Sequence, residues 1–235
     1  MATAAPPRAA PPLPALRPWF DRLGAPLGRL LGRDAGRALV WAVALLPAAY
    51  LAWQFWLFAS GQPHALGREP VESVEHETGE MGIRFLLVSL AITPLRQLTG
   101  WNWLGKYRRV FGLVMFFYAT AHLLAYAVLD LELRLGEVVA EIVKRPYLVV
   151  GFAAWLLLVP LAATSTAGWI RRLGGRSWNR LHKLTYPVAA LGIAHFWMSQ
   201  KKDHSEPIAW GLGFAALFAW RWWYARRTAA ARPGA

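Results

Sequence analysis

Residues 110–129 read VFGLVMFFYATAHLLAYAVL, twenty consecutive residues without an Asp, Glu, Lys or Arg. A helix needs about 20 apolar residues to cross the hydrocarbon core of a bilayer, which is roughly 30 Å thick. The stretch is long enough for one crossing, and it carries the imidazole of His122. It therefore predicts a membrane-spanning helix with a histidine inside it.

Three further stretches without charge, 38–67, 146–170 and 184–200, extend this pattern along the 235-residue chain. With two less uniform segments they predict an all-α, polytopic membrane bundle of six transmembrane helices. In the second span Glu80 and Arg84 are one helical turn apart and are expected to pair. The spans are placed near 39–59, 79–98, 110–129, 147–165, 181–200 and 207–224.

The charges have an uneven distribution along the chain. A net charge of +13 would suit a nucleic-acid-binding protein. Counted over alternate loops, however, 18 of the 26 Lys and Arg residues fall on one side of the predicted membrane and 11 of the 13 acids on the other. Since cytoplasmic loops are enriched in Lys and Arg, both termini are predicted to be cytoplasmic. The acidic loops 69–80 and 130–145 then face the periplasm, and the expected surroundings are lipid, with no nucleic acid.

Three regions are distinguished by composition. Residues 1–37 are a basic leader rich in Pro and Ala, expected to be disordered or to form an interfacial helix over 16–33. No cleavable signal peptide is expected there, because the first apolar run starts only after residue 37. Residues 38–225 form the membrane domain, and 226–235 a cytoplasmic tail. The chain has no cysteine, which excludes disulfides, thiolate metal sites, iron–sulfur clusters and covalently attached haem.

Two histidines are predicted to lie at one depth in the membrane. His122 lies 13 residues beyond Arg109, and His195 lies 15 residues beyond Arg180, on two spans that run in the same direction. At 1.5 Å per residue both are roughly 20 Å from the inner boundary. Two imidazoles facing each other in an apolar bundle are the arrangement that ligates a b-type haem.

Packing is the alternative role for these residues, with Thr120 or Tyr126 as a hydrogen-bond partner for His122. A polar ring in hydrocarbon is costly, and this favours a functional role. No acidic residue lies near the middle of a predicted span, which counts against a proton-coupled transporter.

His182 and Arg108 are predicted at the inner end of the bundle. His182 would point about 140° away from His195 on an ideal helix, so both can address one groove only if the helix is distorted, for example by Pro187. Arg108 lies about 40° off the face of His122 and suits an anionic group such as a haem propionate or a flavin phosphate. The positive-inside rule accounts for Arg108 equally well.

The sequence resembles the haem-binding membrane subunits of bacterial protein-methionine-sulfoxide reductase systems, the MsrQ/YedZ family of the ferric-reductase-like transmembrane superfamily. The resemblance covers roughly residues 39–225. It is carried by residues 93–96 (TPLR), 107–113 (YRRVFGL), 122–126 (HLLAY) and 178–186 (WNRLHKLTY), with His195 thirteen residues beyond His182.

The resemblance implies that His122, His182 and His195 are axial ligands of haem b, with one or two haems. The superfamily carries a second histidine near the position of Arg108, which leaves the inner haem without that ligand. The resemblance also implies FMN, although the chain has no glycine-rich phosphate loop.

By this resemblance the chain is an electron-transfer subunit of the bacterial inner membrane. Its donor would be a cytoplasmic flavin reductase or quinol. Its acceptor would be a periplasmic molybdopterin-dependent enzyme that reduces methionine sulfoxide, a reaction that the chain itself does not catalyse. Two alternatives stay open: a quinol-oxidising cytochrome b or ferric reductase with another acceptor, and a transporter or membrane anchor without redox function.

Overall fold

A computed structural model describes residues 16–230 of the chain. These residues form helices and connecting turns, with no β-strand among them, which confirms the predicted all-α class. Single turns of 3₁₀ or π type lie at Asn102–Lys106, Tyr126–Asp130 and His182–Leu184. The α-helices are α1 (Arg17–Leu31), α2 (Asp34–Ala59), α3 (Pro70–Thr99), α4 (Tyr107–Ala125), α5 (Leu135–Lys144), α6 (Pro146–Ala163), α7 (Ala167–Leu181), α8 (Thr185–Ser199) and α9 (Ser205–Ala230).

Four of the described helical segments are long and apolar enough to cross a membrane: α2, α3, the run Asn102–Asp130 that contains α4, and α6. α8 has only 15 residues, which corresponds to about 23 Å of helix. α9 is longer, with 26 residues, and carries arginines toward its C-terminus. The chain is thus a multi-pass membrane bundle, whereas the count of six spans and the cytoplasmic position of both termini stay predictions.

The bundle is built from two helix pairs, α3 with α4 and α6 with α8. One buried apolar cluster joins both pairs to α9, because each helix contributes side chains to it: Leu86, Leu90, Met115, Leu158, Leu161, Val188, Ala189 and Phe214. α2, in contrast, exposes large apolar side chains along its outer face, among them Leu39, Val43, Leu46, Tyr50 and Trp53. Lipid chains are as apolar as these side chains, so the face needs no protein covering.

Tyr118 of α4 connects α4 to α2. Its side chain is fully buried, and its hydroxyl donates to the carbonyl of Ala44 at 2.9 Å and accepts from the N–H of Ala48 at 3.1 Å. Pro47 lies beside these two groups and has no N–H of its own. The tyrosine hydroxyl therefore satisfies polar backbone atoms at the point where the proline weakens the helix.

Arg221 of α9 has a similar role at Pro94 of α3. Because Pro94 has no N–H, the carbonyl of Leu90 lacks its ordinary helical donor. Arg221 donates to this carbonyl at 2.6 Å and to the hydroxyl of Tyr186 at 2.9 Å. A guanidinium thus points into the bundle, where a freed carbonyl would otherwise be left unpaired.

Three of the segments predicted to connect the spans contain helix. The acidic stretch 69–80 forms the first turns of α3, because Pro70 and Glu72 suit a helix N-terminus. The loop 130–145 contains α5, and the loop between the fourth and fifth predicted spans contains α7, which has a break at Gly174 (φ 71°). Both helices have charged residues at intervals among their apolar residues, so a search for uncharged runs does not find them.

Within the predicted spans, two local expectations have clear outcomes. Glu80 and Arg84 form the predicted ion pair. The predicted continuous helix 181–200 is interrupted by the 3₁₀ turn His182–Leu184. The interruption coincides with the missing N–H of Pro187, whose helical acceptor would be the carbonyl of Lys183.

Part of the basic leader is helical. α1 packs on the turn before α4, where Trp101 donates from Nε1 to the carbonyl of Phe20 at 2.8 Å. Residues 1–15 of the leader and 231–235 of the tail lie outside the described residues. The interfacial position of α1 and the boundaries of leader, membrane domain and tail stay predictions.

Candidate functional site

His122 of α4 and His195 of α8 meet inside the bundle. Their ring centres are 6.0 Å apart, and the ring planes are inclined by 76°. Two imidazoles that bind one metal ion from opposite sides, at roughly 2.0–2.1 Å each, place their ring centres about 6 Å apart. The structure thus brings together the two histidines that were predicted at one depth, with a spacing that suits a shared metal ion.

Both rings are anchored through the same nitrogen. Nδ1 of His122 lies 2.9 Å from the carbonyl oxygen of Glu75 in α3, and Nδ1 of His195 lies 2.8 Å from that of Tyr147 in α6. A carbonyl oxygen only accepts hydrogen bonds, so Nδ1 carries the proton in both rings. Nε2 of each ring therefore keeps a free lone pair, the state in which histidine binds a metal ion.

A glycine lies against each anchored ring. Gly79 is four residues after Glu75, and Gly151 is four residues after Tyr147. A Cβ atom at Gly79 would lie 3.1 Å from Nδ1 of His122, and one at Gly151 would lie 2.6 Å from Nδ1 of His195. The sequence analysis did not identify these glycines or the two carbonyls.

The alternative packing partners of His122 are occupied elsewhere or make no bond to it. The hydroxyl of Thr120 donates to the carbonyl of Phe116 at 2.8 Å and accepts from Nε1 of Trp155 at 3.0 Å. Tyr126 makes no side-chain hydrogen bond to the ring in the described structure. The anchoring groups of His122 and His195 are backbone atoms of neighbouring helices.

A second candidate site lies at the other end of the bundle. It is a cavity of about 410 Å³, within the size range of ligand pockets. One part is apolar, lined by Met115, Phe116, Leu158 and Leu161. The other part is cationic, and among the described residues no Asp or Glu lines the cavity; the basic residues are Arg37, Arg96, Lys106, Arg108 and Arg109.

His182 lines this cavity, but its ring is held differently from those of His122 and His195. Nε2 of His182 lies 3.2 Å from the hydroxyl of Thr164, which itself donates to the carbonyl of Pro160 at 2.7 Å. The hydroxyl therefore accepts from His182, and Nε2 carries the proton. The ring also stacks on Trp178, with 3.8 Å between ring centres.

Arg108 lines the same cavity, away from the paired histidines. Its side chain is exposed to the cavity, while its carbonyl accepts a hydrogen bond from the hydroxyl of Ser89 at 3.1 Å. With four other cations around it, Arg108 can take part in holding an anionic group. The structure thus divides the four predicted site residues into a histidine pair and a cationic cavity with one histidine. The predictions that His182 binds haem iron and that Arg108 binds a propionate or phosphate stay predictions.

The comparison with known families defines the class of protein. The family described as "Ferric reductase like transmembrane component" matches residues 78–193, from α3 into α8. The chain is therefore a membrane redox protein of this class, and its helices agree with a multi-pass protein of the bacterial inner membrane.

Individual relatives define the family more closely. The chain is 53% identical over 201 residues to a protein of Xanthomonas euvesicatoria, covering 84% of this chain and 92% of the relative. A Xanthomonas oryzae protein is 53% identical over 199 residues (83% and 91%), and one of Caulobacter vibrioides 43% over 191 residues (81% and 88%). All three are named "Protein-methionine-sulfoxide reductase heme-binding subunit MsrQ". The chain belongs to the MsrQ family, which confirms the resemblance seen in the sequence. No solved structure matches it.

Proposed function

We propose that His122 and His195 would together bind the iron of a b-type haem. The observation that carries this proposal is the ring pair at 6.0 Å, with both Nδ1 atoms bonded to backbone carbonyls. The pair would supply two histidine nitrogens to one haem iron. The relatives named as heme-binding subunits support the same cofactor.

When bound, haem supplies one-electron oxidation and reduction at a fixed place in the membrane. The residues of this chain hold and orient the ligands. The carbonyls of Glu75 and Tyr147 keep the proton on Nδ1 of each histidine and make Nε2 more basic, which would favour binding of iron there.

The cationic cavity is proposed to hold a second redox group near the cytoplasmic face. Its apolar part suits a planar ring system, and Arg108 with its neighbours suits the propionates of a second haem or the phosphate of FMN. His182 would be one axial ligand in the first case. Its Nε2 donates to Thr164 in the described structure, so the ring would have to exchange this bond for iron.

The path of electrons follows from the predicted topology. With both termini in the cytoplasm, the cavity lies toward the cytoplasmic face and the histidine pair lies in the outer half of the membrane. Electrons from a cytoplasmic flavin reductase or from quinol would enter through the cavity. They would leave from the histidine pair, so that no single step crosses the whole membrane.

The name of the relatives supports a particular electron acceptor. They are named as subunits of a protein-methionine-sulfoxide reductase. By the family resemblance, the acceptor would be a periplasmic molybdopterin-dependent enzyme that repairs methionine sulfoxide in proteins. The chain would deliver electrons to that enzyme without reacting with the sulfoxide. A quinol-oxidising cytochrome b or ferric reductase with another acceptor is the main rival.

Visible spectra of the purified protein test the haem proposal. We expect a Soret band that sharpens on reduction with dithionite. His122→Ala and His195→Ala should each remove the outer haem, whereas His204→Ala, a loop histidine beside Trp197, should not. A wild-type protein without a Soret band would exclude haem and favour a transporter or anchor. Normal haem content in both histidine variants would mean that other residues are the ligands.

Re-oxidation of the reduced protein tests the acceptor. We expect a catalytic amount of a periplasmic protein-methionine-sulfoxide reductase with excess sulfoxide substrate to oxidise all the reduced haem. The enzyme without substrate should oxidise no more haem than its own redox centre can take up. Ferric iron serves as the comparison acceptor. Oxidation by ferric iron together with indifference to the reductase would favour the rival function.

A further inference from the structure

We infer that Gly79 and Gly151 are positioning residues, which form two equivalent sockets for the axial histidines together with the carbonyls of Glu75 and Tyr147. The inference rests on the proposed function, because it concerns the two histidines proposed to bind haem. Each socket consists of a backbone carbonyl and a glycine four residues later on the same helix. Residues four apart lie above one another on one helix face.

The socket of His195 lies near the start of α6. The carbonyl of Tyr147 accepts from Nδ1 of His195 at 2.8 Å. At Gly151 a Cβ atom would lie 2.6 Å from Nδ1 and 2.8 Å from Cε1 of the same ring. Cβ atoms essentially never approach other atoms closer than 3.0 Å, so only glycine admits the ring in this position.

The socket of His122 lies in α3 and has the same construction. The carbonyl of Glu75 accepts from Nδ1 of His122 at 2.9 Å. At Gly79 a Cβ atom would lie 3.1 Å from Nδ1 and 3.2 Å from Cε1. This is tighter than most real contacts, although a ring shift of a few tenths of an ångström would relieve it.

The two contacts of each socket act on the same edge of the ring. The carbonyl binds Nδ1, and the glycine lets the Nδ1–Cε1 edge lie directly against the helix backbone. Together they fix the ring's distance from the helix and therefore the position of Nε2, the atom proposed to bind iron. A methyl group at the glycine would push the edge away and lengthen the bond to the carbonyl.

The two sockets differ in tightness, which predicts an order of effects. Gly151→Ala should lower haem retention by roughly 10- to 100-fold, the range found when groups that orient a metal-binding histidine are removed. Gly79→Ala should keep the haem but change its low-spin ferric spectrum and its midpoint potential. All the histidines remain in both variants.

Two other glycines serve as matched controls. Gly82 lies on α3, where a Cβ atom would meet its nearest neighbour, the amide nitrogen of Ala119, at 3.8 Å. Gly211 lies on α9, where the nearest atom would be Cγ2 of Ile193 at 3.7 Å. Alanine is the better helix former, so Gly82→Ala and Gly211→Ala should preserve or raise thermal stability and leave the haem unchanged.

The experiment measures haem per protein, the ferric electron paramagnetic resonance spectrum and the midpoint potential in membranes prepared from each variant. A double variant guards against simple misfolding. If the methyl at Gly151 acts through the ring, Gly151→Ala should cause no further loss of melting temperature once His195→Ala has removed that ring.

Three results would overturn the inference while leaving the proposed function intact. The first is wild-type haem content, spectrum and potential in Gly151→Ala. The second is an equal change in the control variants. The third is the same thermal damage from Gly151→Ala with and without His195. Absence of haem from the wild-type protein would instead refute the proposed function itself.

Discussion

His195 and His182 lie 13 residues apart, yet their rings are held by opposite nitrogens. His195 binds a backbone carbonyl through Nδ1 and faces a second imidazole, that of His122. His182 binds the hydroxyl of Thr164 through Nε2 and faces a cavity with cationic walls. Only the first arrangement leaves Nε2 free beside another ring.

This difference separates two kinds of candidate site within one bundle. The histidine pair is preorganised, because the rigid backbones of α3 and α6 hold each ring and the tautomer is already correct. The cavity offers charge and volume, and its histidine is engaged by a side chain that a ligand can displace. We therefore expect the two regions to respond independently to substitution.

The largest effect should come from removing histidines one at a time. His195→Ala should abolish the spectrum of the outer haem, because one of its two proposed ligands is lost. His182→Ala should leave that spectrum in place and alter only a second component, if one is present. Quantitative haem assays and reduced-minus-oxidised spectra measure this. An equal loss in both variants would show that the two regions do not act separately.

Reversing a charge in the cavity should have the next largest effect. Arg108→Glu introduces an acid among cations and should lower the amount of bound flavin or second haem, while the outer haem keeps its spectrum. Arg180→Glu, an exposed residue that does not line the cavity, is the matched control. Cofactor extraction and quantification measure the effect. A loss of the outer haem in Arg108→Glu would show that Arg108 supports the histidine pair.

Thr164→Val should have a moderate effect confined to the cavity. The substitution removes the acceptor of His182 and should cost about 1 kcal/mol of stability, typical for a hydrogen bond of this kind. Thr164→Ser keeps the hydroxyl and should behave like wild type. Thermal denaturation in detergent measures the stability. If His182 binds the iron of a second haem through Nε2, Thr164→Val should also raise the occupancy of that haem, because Nε2 is no longer engaged by the hydroxyl.

The smallest effect is expected at α5, which belongs to neither region. A hydrogen bond from Arg145 holds the pKa of the Glu141 carboxyl below its usual value of 4.5. The pair therefore supports the end of α5 at neutral pH and loses that support as the pH falls through the lowered pKa. Because the chain has no cysteine, a spin label at Val139→Cys can report mobility without background. The label should become more mobile in acid. In Glu141→Gln it should be as mobile at neutral pH as in the acidified wild type and show no pH dependence, with neither site altered.

The depth calculation predicted the histidine pair because it used only the rise of a helix and the position of the basic residues. Arg109 and His122 both lie on α4, whereas Arg180 lies at the end of α7, just before the turn that leads into α8 and His195. The similar counts of 13 and 15 residues therefore correspond to similar depths. Three of the uncharged runs, 38–67, 110–129 and 146–170, coincide with helices that are long enough to span a membrane, whereas 184–200 contains the shorter α8.

The anchoring groups could not be predicted in this way. A backbone carbonyl has no sequence signature, and whether Glu75 or Tyr147 supplies one depends on the rotation of α3 and α6. The glycines four residues later were visible in the sequence, yet many glycines occur in membrane helices. α5 and α7 were missed because their polar residues interrupt every apolar run. The bond from His182 to Thr164 depends on the 3₁₀ turn at His182–Leu184. The spacing of apolar residues does not predict where such a turn occurs.

Tyr118 has a consequence for how α2 finds its orientation. α2 carries apolar side chains on all its faces. Each face therefore has nearly the same free energy against lipid as against protein. The hydrophobic effect then leaves the rotation of the helix about its own axis undetermined. One buried hydroxyl, bonded to Ala44 and Ala48, distinguishes a single rotational setting from all others. The Tyr118 hydroxyl thus fixes the rotation of α2. This is the helix that joins the leader to the rest of the membrane domain.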